Sequence, residues 1–290
     1  MPLQAALPTR NSIEPKFRTA RDDDMKISIY TSVKNGIEND FHVEAMLRHH
    51  APLVEEIIVN EGFSTDGTYE RIRNISGNIR VFRSHWGDAK DISWYVRFKE
   101  EARKRCTGDW CILLDCDEFI PEWEIDRLRD ALSRTNEKML AARFLNFYGN
   151  YRVFHGAPEI VNWPARKMIV HRNDPSIEIW GDGSNVRITG QDFTWGETDP
   201  VIVVHHFGMV RNPGILRYKW WMQGRAFKGK GGFLRPPRLL FQLFPHNWED
   251  GQFYENLELY DGPLIQAVLN DPAEFVRDRM RLANKLGWVG

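Results

Sequence analysis

Four short runs of β-branched, aliphatic and aromatic residues, at positions 26–33, 56–60, 79–82 and 110–114, alternate with helical patterns, and this alternation limits the fold more than any other feature. Between the first two, Phe41, Met46, Leu47 and His50 fall at helical spacing behind a cap at Asn39 or Asp40. A loop at 61–67 and a short helix through Tyr69 and Ile72 follow the second run. Before the fourth, residues 92–106 put Ile92, Tyr95, Val96, Ala102 and Cys106 on one face, with Gly108 as the stop signal. Strands alternating with helices form a parallel sheet through right-handed crossovers, and such sheets gather ligands at the carboxyl ends of their strands. Past Pro121 the pattern changes to one helix at 123–133, then strand-like runs at 139–148, 166–171 and 201–207 between loops rich in Gly, Trp and Asn. These predict a mixed sheet.

The fourth run, WCILLDCDEF (110–119), carries apolar residues straight into Asp115, Asp117 and Glu118. Along an extended strand the two aspartates point the same way and Cys116 the other. Carboxylates that close repel unless a positive charge lies between them, and a hard divalent cation, Mg²⁺ or Mn²⁺, shared with substrate phosphates suits them. The competing reading is a strand end followed by a cap to the helix at Trp123.

Composition excludes several other classes. Lys plus Arg (39) nearly balances Asp plus Glu (40), so no global field draws nucleic acid. At 290 residues the chain can bury a sizeable core, and Cys106, Cys111 and Cys116 offer neither a CxxC pair nor a disulfide framework. No stretch reaches the ~18 apolar residues of a membrane span and no signal peptide is evident, which predicts a cytoplasmic protein. Residues 1–24 show no period and read as a disordered tail, with Met25 as the true start of the protein. The eleven tryptophans fill core or stack on flat ligands such as sugar rings. Arg217, Lys219, Arg225, Lys228, Lys230, Arg235 and Arg238 interleave with aromatic residues, so 217–244 reads as a mobile lid, as a phosphate-facing surface or one with peripheral membrane contact, or as an ordinary solvated helix pair.

IVNEGFSTDGT (58–68), taken with the strand at 26–33 and the DCDEF at 115–119, resembles the family 2 glycosyltransferases of the GT-A fold. Their second-strand signature reads approximately VDDGSTDGT and their fourth strand ends in a DxD. Here Asn60 and Glu61 stand in place of the two aspartates, and Phe63 is an extra residue before Ser64. VHHFGMVRNP (204–213), with Lys219 six residues on, resembles the His-Tyr/Phe-Gly-x-x-Arg stretch of the branch whose DxD reads DxDEF. In that branch a late-strand histidine completes the metal site. His206 is the match and His205 faces the other way, against the alternative of a satisfied core histidine.

The resemblance implies an α/β fold: a GT-A-like three-layer α/β/α sandwich with a mostly parallel mixed central sheet and a C-terminal helical segment. Residues 25–120 would form the nucleotide-binding half of a 25–210 domain, 121–210 its acceptor half, and 211–290 a lid. Glu61, Asp66, Arg97 and Asp115 would hold the nucleoside of a UDP- or GDP-sugar. Asp117 and His206 would hold Mn²⁺ or Mg²⁺, and Arg211 or Lys219 would clamp the diphosphate. Transfer to a glycan or glycoconjugate hydroxyl needs a carboxylate base in the second half. Glu178, Asp182, Asp192 and Glu197 are the candidates, and Asp182, between two glycines, is preferred among these acids, with a plain Asp-Gly turn as the competing reading of it. Inversion is what the family implies. Two rivals are a nucleotidylyltransferase, which wants a more glycine-rich loop than TSVKNG (31–36), and a catalytically inert carbohydrate-binding or scaffold protein of the same fold.

Overall fold

The computed structural model describes residues 25–86, 93–157, 165–194, 199–227, 238–244, 255–269 and 283–287. The 1–24 tail with its proposed boundary at Met25, and Ile92, Glu197, Lys228, Lys230 and Arg235, lie outside them.

The strand β1 (Ile27–Val33) is buried along nearly its whole length, as a strand paired on both edges must be when helices cover both faces. It pairs in parallel with β2 (Glu56–Glu61) and β4 (Trp110–Leu113), and β2 pairs in parallel with β3 (Ile79–Arg83). Helices α1 (Val43–His50), α2 (Thr68–Ile72) and α3 (Ser93–Arg103) make the connections. The order β3-β2-β1-β4 means that the chain steps outward twice, then returns past β1. Right-handed crossovers therefore put α1 and α2 on one face and α3 on the other, and α3 packs on β1, β2 and β4. The direction of winding reverses between β1 and β4, which is where an open sheet of this kind leaves a crevice.

The second half extends the same sheet. After β5 (Glu118–Phe119) and α4 (Ile125–Arg134) come β6 (Met139–Tyr148), β7 (Val153–His155), β8 (Arg166–Arg172), a separate hairpin of β9 (Ile177–Trp180) and β10 (Asn185–Ile188), and β11 (Ile202–Met209). β8 runs antiparallel to both β4 and β6, while β11 is parallel to β6 and antiparallel to β5. The result is the α/β fold with a mixed central sheet. Then follow α5 (Pro213–Phe227), α6 (Arg238–Leu243), β12 (Leu257–Leu259) and α7 (Gln266–Leu269). Pairing of β12 with β7 makes the C-terminal segment part of the main sheet rather than purely helical. No described helix is long and apolar enough to cross a membrane.

Three local expectations change. Asp40 does not cap α1: it lies at φ 53° and its Oδ2 accepts from the backbone N–H of Asn212, 2.5 Å away, tying the first loop to the start of α5. Val96, Ala102 and Cys106 face the core as the pattern predicts, but Phe98 and Lys99 of α3 join them and Tyr95 is turned outward. Gly108 is a close-approach glycine and not a helix stop. A Cβ there would come within 2.7 Å of Ser28 Oγ and 2.8 Å of the Lys26 carbonyl, so only hydrogen lets β4 enter beside β1.

Candidate active site

The crevice between β1 and β4 is where the acidic run ends up. β4 stops at Leu113, and Glu118 folds the following residues into a turn by accepting from the Asp115 N–H at 2.8 Å. The strand alternation is lost, so the carboxylates diverge. Asp115 meets Lys99 Nζ at 2.5 Å, Glu118 meets Lys167 Nζ at 2.5 Å, and Asp117 is held by Arg211, with Lys219 Nζ at 3.7 Å and His206 Nε2 at 3.8 Å.

Burial opposes ionisation of Asp117, but Lys219 and then Arg211 outweigh it and hold the carboxyl well below its usual range. Burial likewise opposes charge on Asp115, yet Lys99 and then Lys167 bring it down. Glu118 goes the other way: burial, with Asp115 and Asp117 adding repulsion, pushes it up against the pull of Lys167. Lys219 is pulled down to about 8 by burial and by Arg211, despite Asp117. The cluster therefore concentrates lysine and arginine charge around acids that already satisfy it. An incoming diphosphate would compete for those cations.

His206 lies on β11, at the edge of a register shift that falls between it and Met209. Its Nδ1 is 2.7 Å from Asn146 Oδ1, an atom that can only accept, so the ring proton is on Nδ1 and Nε2 carries the lone pair. Burial lowers the imidazole to about 3, so it is neutral at physiological pH. A lone pair facing Asp117 Oδ1 across 3.8 Å is a gap that suits a cation. Among the described residues no group of three or more His, Cys, Asp or Glu forms a closed metal cage. Asp117 and His206 instead fit an open site in which substrate phosphates and water supply the other ligands, the usual habit of Mg²⁺.

Gly208 supports this geometry. A Cβ there would land on His206 Nε2 and within 2.8 Å of Cε1. Because the His206 ring must give way, Gly208→Ala is expected to cost about 1–3 kcal/mol in the urea transition and, if a cation sits at His206, to abolish the rise in melting temperature that Mn²⁺ would give. Thermal melting with and without Mn²⁺ plus a nucleoside diphosphate checks this, and an unchanged metal response would count against a cation at His206.

The other predicted residues divide. Glu61 is fully buried, and its carboxylate accepts from the N–H groups of Phe63 (3.1 Å) and Ser64 (2.6 Å) and from Arg83 Nε (2.7 Å). It shapes the loop after β2 from beneath. Asp66 accepts from Thr68 Oγ1 (2.6 Å) and the Glu38 N–H (2.7 Å), bracing this loop against the one after β1. Arg97 is exposed and paired with Glu101 on its own helix, away from the acids. Arg211 is fully buried, and besides Asp117 it donates to the carbonyls of Gly208 (2.7 Å) and Asn39 (3.1 Å). Asp182 is exposed in the β9–β10 turn, accepting from Ser184 Oγ at 2.5 Å between Gly181 and Gly183 at positive φ. Of its rivals, Glu178 pairs with Arg187 at 2.7 Å and Asp192 is exposed.

Lys99 joins these parts, since it donates to the Gly183 carbonyl at 2.8 Å while holding Asp115. The hairpin that carries Asp182 is thereby tied to the end of β4. Sequence reasoning passed over Lys99, Lys167 and Asn146. The signal for Lys99 was present: it lies three residues from both Val96 and Ala102 on the apolar stripe of α3, where a lysine needs an acidic partner. Several tryptophans fill the core. Trp110 and Trp86 are buried, the latter stacked on Phe98 at 4.6 Å, while Trp180 stacks on Phe193 at 4.1 Å beside the Asp182 turn.

Comparison with known families matches residues 42–212 to the sequence profile of glycosyl transferase family 2. Comparison with curated proteins returns no match. Among solved structures, TarS of S. aureus in complex with UDP is similar at 19% identity and TM-score 0.34, covering 51% of this chain and 47% of that one. Mannosyl-3-phosphoglycerate synthase from Rubrobacter xylanophilus is similar at 18% identity and TM-score 0.37, covering 53% and 55%. Glucosyl-3-phosphoglycerate synthase from Mycobacterium tuberculosis, in complex with Mg²⁺ and UDP, is similar at 19% identity and TM-score 0.33, covering 46% and 49%. The chain thus spans about half the length of these structures.

Proposed function

The chain belongs to glycosyl transferase family 2, and on that footing we propose that it moves a sugar from a nucleoside-diphosphate donor to a hydroxyl of a glycan or glycoconjugate, inverting the anomeric carbon and using a divalent cation. The observation that carries the proposal is the pair of electron-rich atoms, Asp117 Oδ1 and His206 Nε2, 3.8 Å apart at the β1–β4 crevice with Lys219 beside them. When bound, Mg²⁺ or Mn²⁺ supplies Lewis-acid stabilisation of the departing diphosphate.

The chain's own residues do the rest. Arg211 orients Asp117 from beneath, and Asn146 fixes the His206 tautomer. Lys219 faces the leaving group with a charge that burial has made poorly solvated, so a phosphate oxygen gains more from it than from a lysine in water. Asp115, held by Lys99, is assigned to the ribose. Glu61 and Asp66 act on the nucleoside through the loop they brace, whose Phe63 is left exposed at φ 53° under the Arg83 guanidinium at 4.2 Å. Asp182 is assigned the acceptor proton, because the Lys99–Gly183 bond keeps its turn next to the acids and leaves its carboxylate open to an acceptor.

The test is a thermal-shift screen of UDP, GDP and other nucleoside diphosphates with and without Mn²⁺. A ligand present at about a hundred times its Kd stabilises the native state by about 2.7 kcal/mol. One diphosphate is expected to raise the melting temperature in a Mn²⁺-dependent manner, and the matching nucleotide-sugar to release it on turnover. If none shifts the transition and Asp117→Ala changes no donor affinity, the reading fails and an inert protein of this fold takes its place.

A further inference from the structure

We infer that the base of the nucleoside-diphosphate donor stacks on a column of side chains headed by Phe63 and His85, gripped by its ring face and not through an acid at the end of β2. This deepens the transferase reading above and rests on it. The two residues that stand where the family signature carries aspartates are turned inward and occupied. Asn60 is fully buried: its amide donates to the Phe98 carbonyl at 3.0 Å and to Glu101 at 3.3 Å, and its Oδ1 accepts from Ser84 Oγ at 2.6 Å. Glu61 is fully buried too, with its oxygens accepting from the Phe63 and Ser64 N–H groups and from Arg83. Neither side chain reaches a base in the crevice, so recognition passes to what the loop after β2 exposes.

What it exposes is Phe63, the extra residue of that loop. Its φ of 53° is a conformation that a bulky side chain takes only where its surroundings enforce it. Glu61 holds its N–H, and Gly62 is pressed so closely on the Trp86 indole that a Cβ would lie 2.6 Å from the ring. Trp86 is in turn stacked on Phe98 at 4.6 Å, which fixes the turn after β3 beside the loop after β2. Asn35, just past β1, ties the same loop to the rim of the crevice through Ser64 Oγ at 2.8 Å and the Thr65 N–H at 3.0 Å. His85 therefore lies against Phe63, with ring centroids 4.1 Å apart and planes within 8° of parallel. The Arg83 guanidinium is 4.2 Å from the Phe63 ring and 4.3 Å from that of Tyr69. Two groups at such distances cannot share one face of Phe63, so the column runs Arg83, Phe63, His85, with Tyr69 against the guanidinium. Glu61 anchors its inner end through Arg83 at 2.7 Å. At the outer end, among the described residues, Phe63 is 37% exposed and His85 is exposed. A column already stacked and held at a strand's carboxyl end binds another flat group without having to order itself first. The base is the flat, aromatic part of the donor, and stacking on such rings is how proteins hold a base by its face.

Isothermal titration of the full chain in Mn²⁺ tests this, with inorganic pyrophosphate and with whichever nucleoside diphosphate stabilises wild type most. Phe63→Gly removes the ring and keeps the backbone, because glycine adopts φ 53° freely. Phe63→Gly and His85→Ala are each expected to weaken the nucleoside diphosphate about tenfold and to leave pyrophosphate within about twofold of wild type, since pyrophosphate has no base to stack. His85→Trp, which offers a larger ring, is expected to bind the nucleoside diphosphate at least as tightly as wild type. Unchanged nucleoside-diphosphate affinity in both Phe63→Gly and His85→Ala overturns this inference and leaves the transferase reading standing. An equal loss of pyrophosphate affinity also overturns it, because the substitutions would then act on the phosphate site and not on the base. If wild type binds neither pyrophosphate nor any nucleoside diphosphate, the transferase reading fails and this inference with it.

Discussion

Asp117→Ala is expected to lower the stability of the native state by about 3–5 kcal/mol and to stop nucleotide release, two effects with separate causes. The stability loss comes from Arg211, which is fully buried and would keep its bonds to the Gly208 and Asn39 carbonyls while losing its only paired carboxylate among the described residues. Breaking one side of a buried ion pair leaves a charge that water cannot reach. Urea unfolding followed by far-ultraviolet circular dichroism measures this part. The catalytic loss comes from the cation: without Asp117 Oδ1, only His206 of the proposed pair remains, and removing several kcal/mol of charge stabilisation slows transfer on the order of 10³-fold. Asp117→Asn keeps the shape and removes the charge, so it should show both effects. An unfolding midpoint for Asp117→Ala equal to wild type would mean that Arg211 is not buried against this carboxylate.

The second large effect is expected of Lys167→Met. Glu118 is 2% exposed, and its carboxylate accepts from Lys167 at 2.5 Å and from the Asp115 N–H at 2.8 Å. Deleting the ammonium is expected to cost about 3–5 kcal/mol near neutral pH. The pH dependence has a definite sign. Burial already pushes the Glu118 carboxyl up, and losing Lys167 pushes it further, so the folded variant binds a proton that the unfolded chain releases. Its stability relative to wild type therefore falls as pH rises through that raised value and recovers on acidification. Glu118→Gln combined with Lys167→Met should regain most of the loss, because a neutral amide beside a thioether leaves no charge uncompensated. A Lys167→Met deficit independent of pH between 5 and 8 would contradict this account.

The two experiments address an arrangement that was only partly legible in the chain. That β1, β2, β3 and β4 run parallel could be read from alternating runs, since strands separated by a helix have few ways to close, whereas their order could not. The position of Asp115, Asp117 and Glu118 at a carboxyl strand end followed from the same pattern. The divergence of these acids did not. It depends on the turn made by Glu118 and on lysines from α3, β8 and α5 that lie between 16 and 102 residues in sequence from the acids they meet, Lys99–Asp115 and Lys219–Asp117 being the two extremes. Arg97, chosen from its place before the acidic run, is exposed, whereas Lys99 two residues later points inward. A 100° rotation per residue decides between them, and the phase of a short helix is set by what it packs on.

The sequence by itself determined the α/β class, the parallel character of the first half of the sheet and the residue types gathered at its carboxyl end, because periodicity and turn chemistry are local properties of the chain. Tertiary structure alone decided which cation meets which carboxylate, that His206 presents its Nε2 lone pair to Asp117, and that Arg83 and His85 stack on Phe63. Each of these depends on side chains brought within about 4 Å from distant parts of the chain, a distance at which charge and desolvation outweigh any local preference.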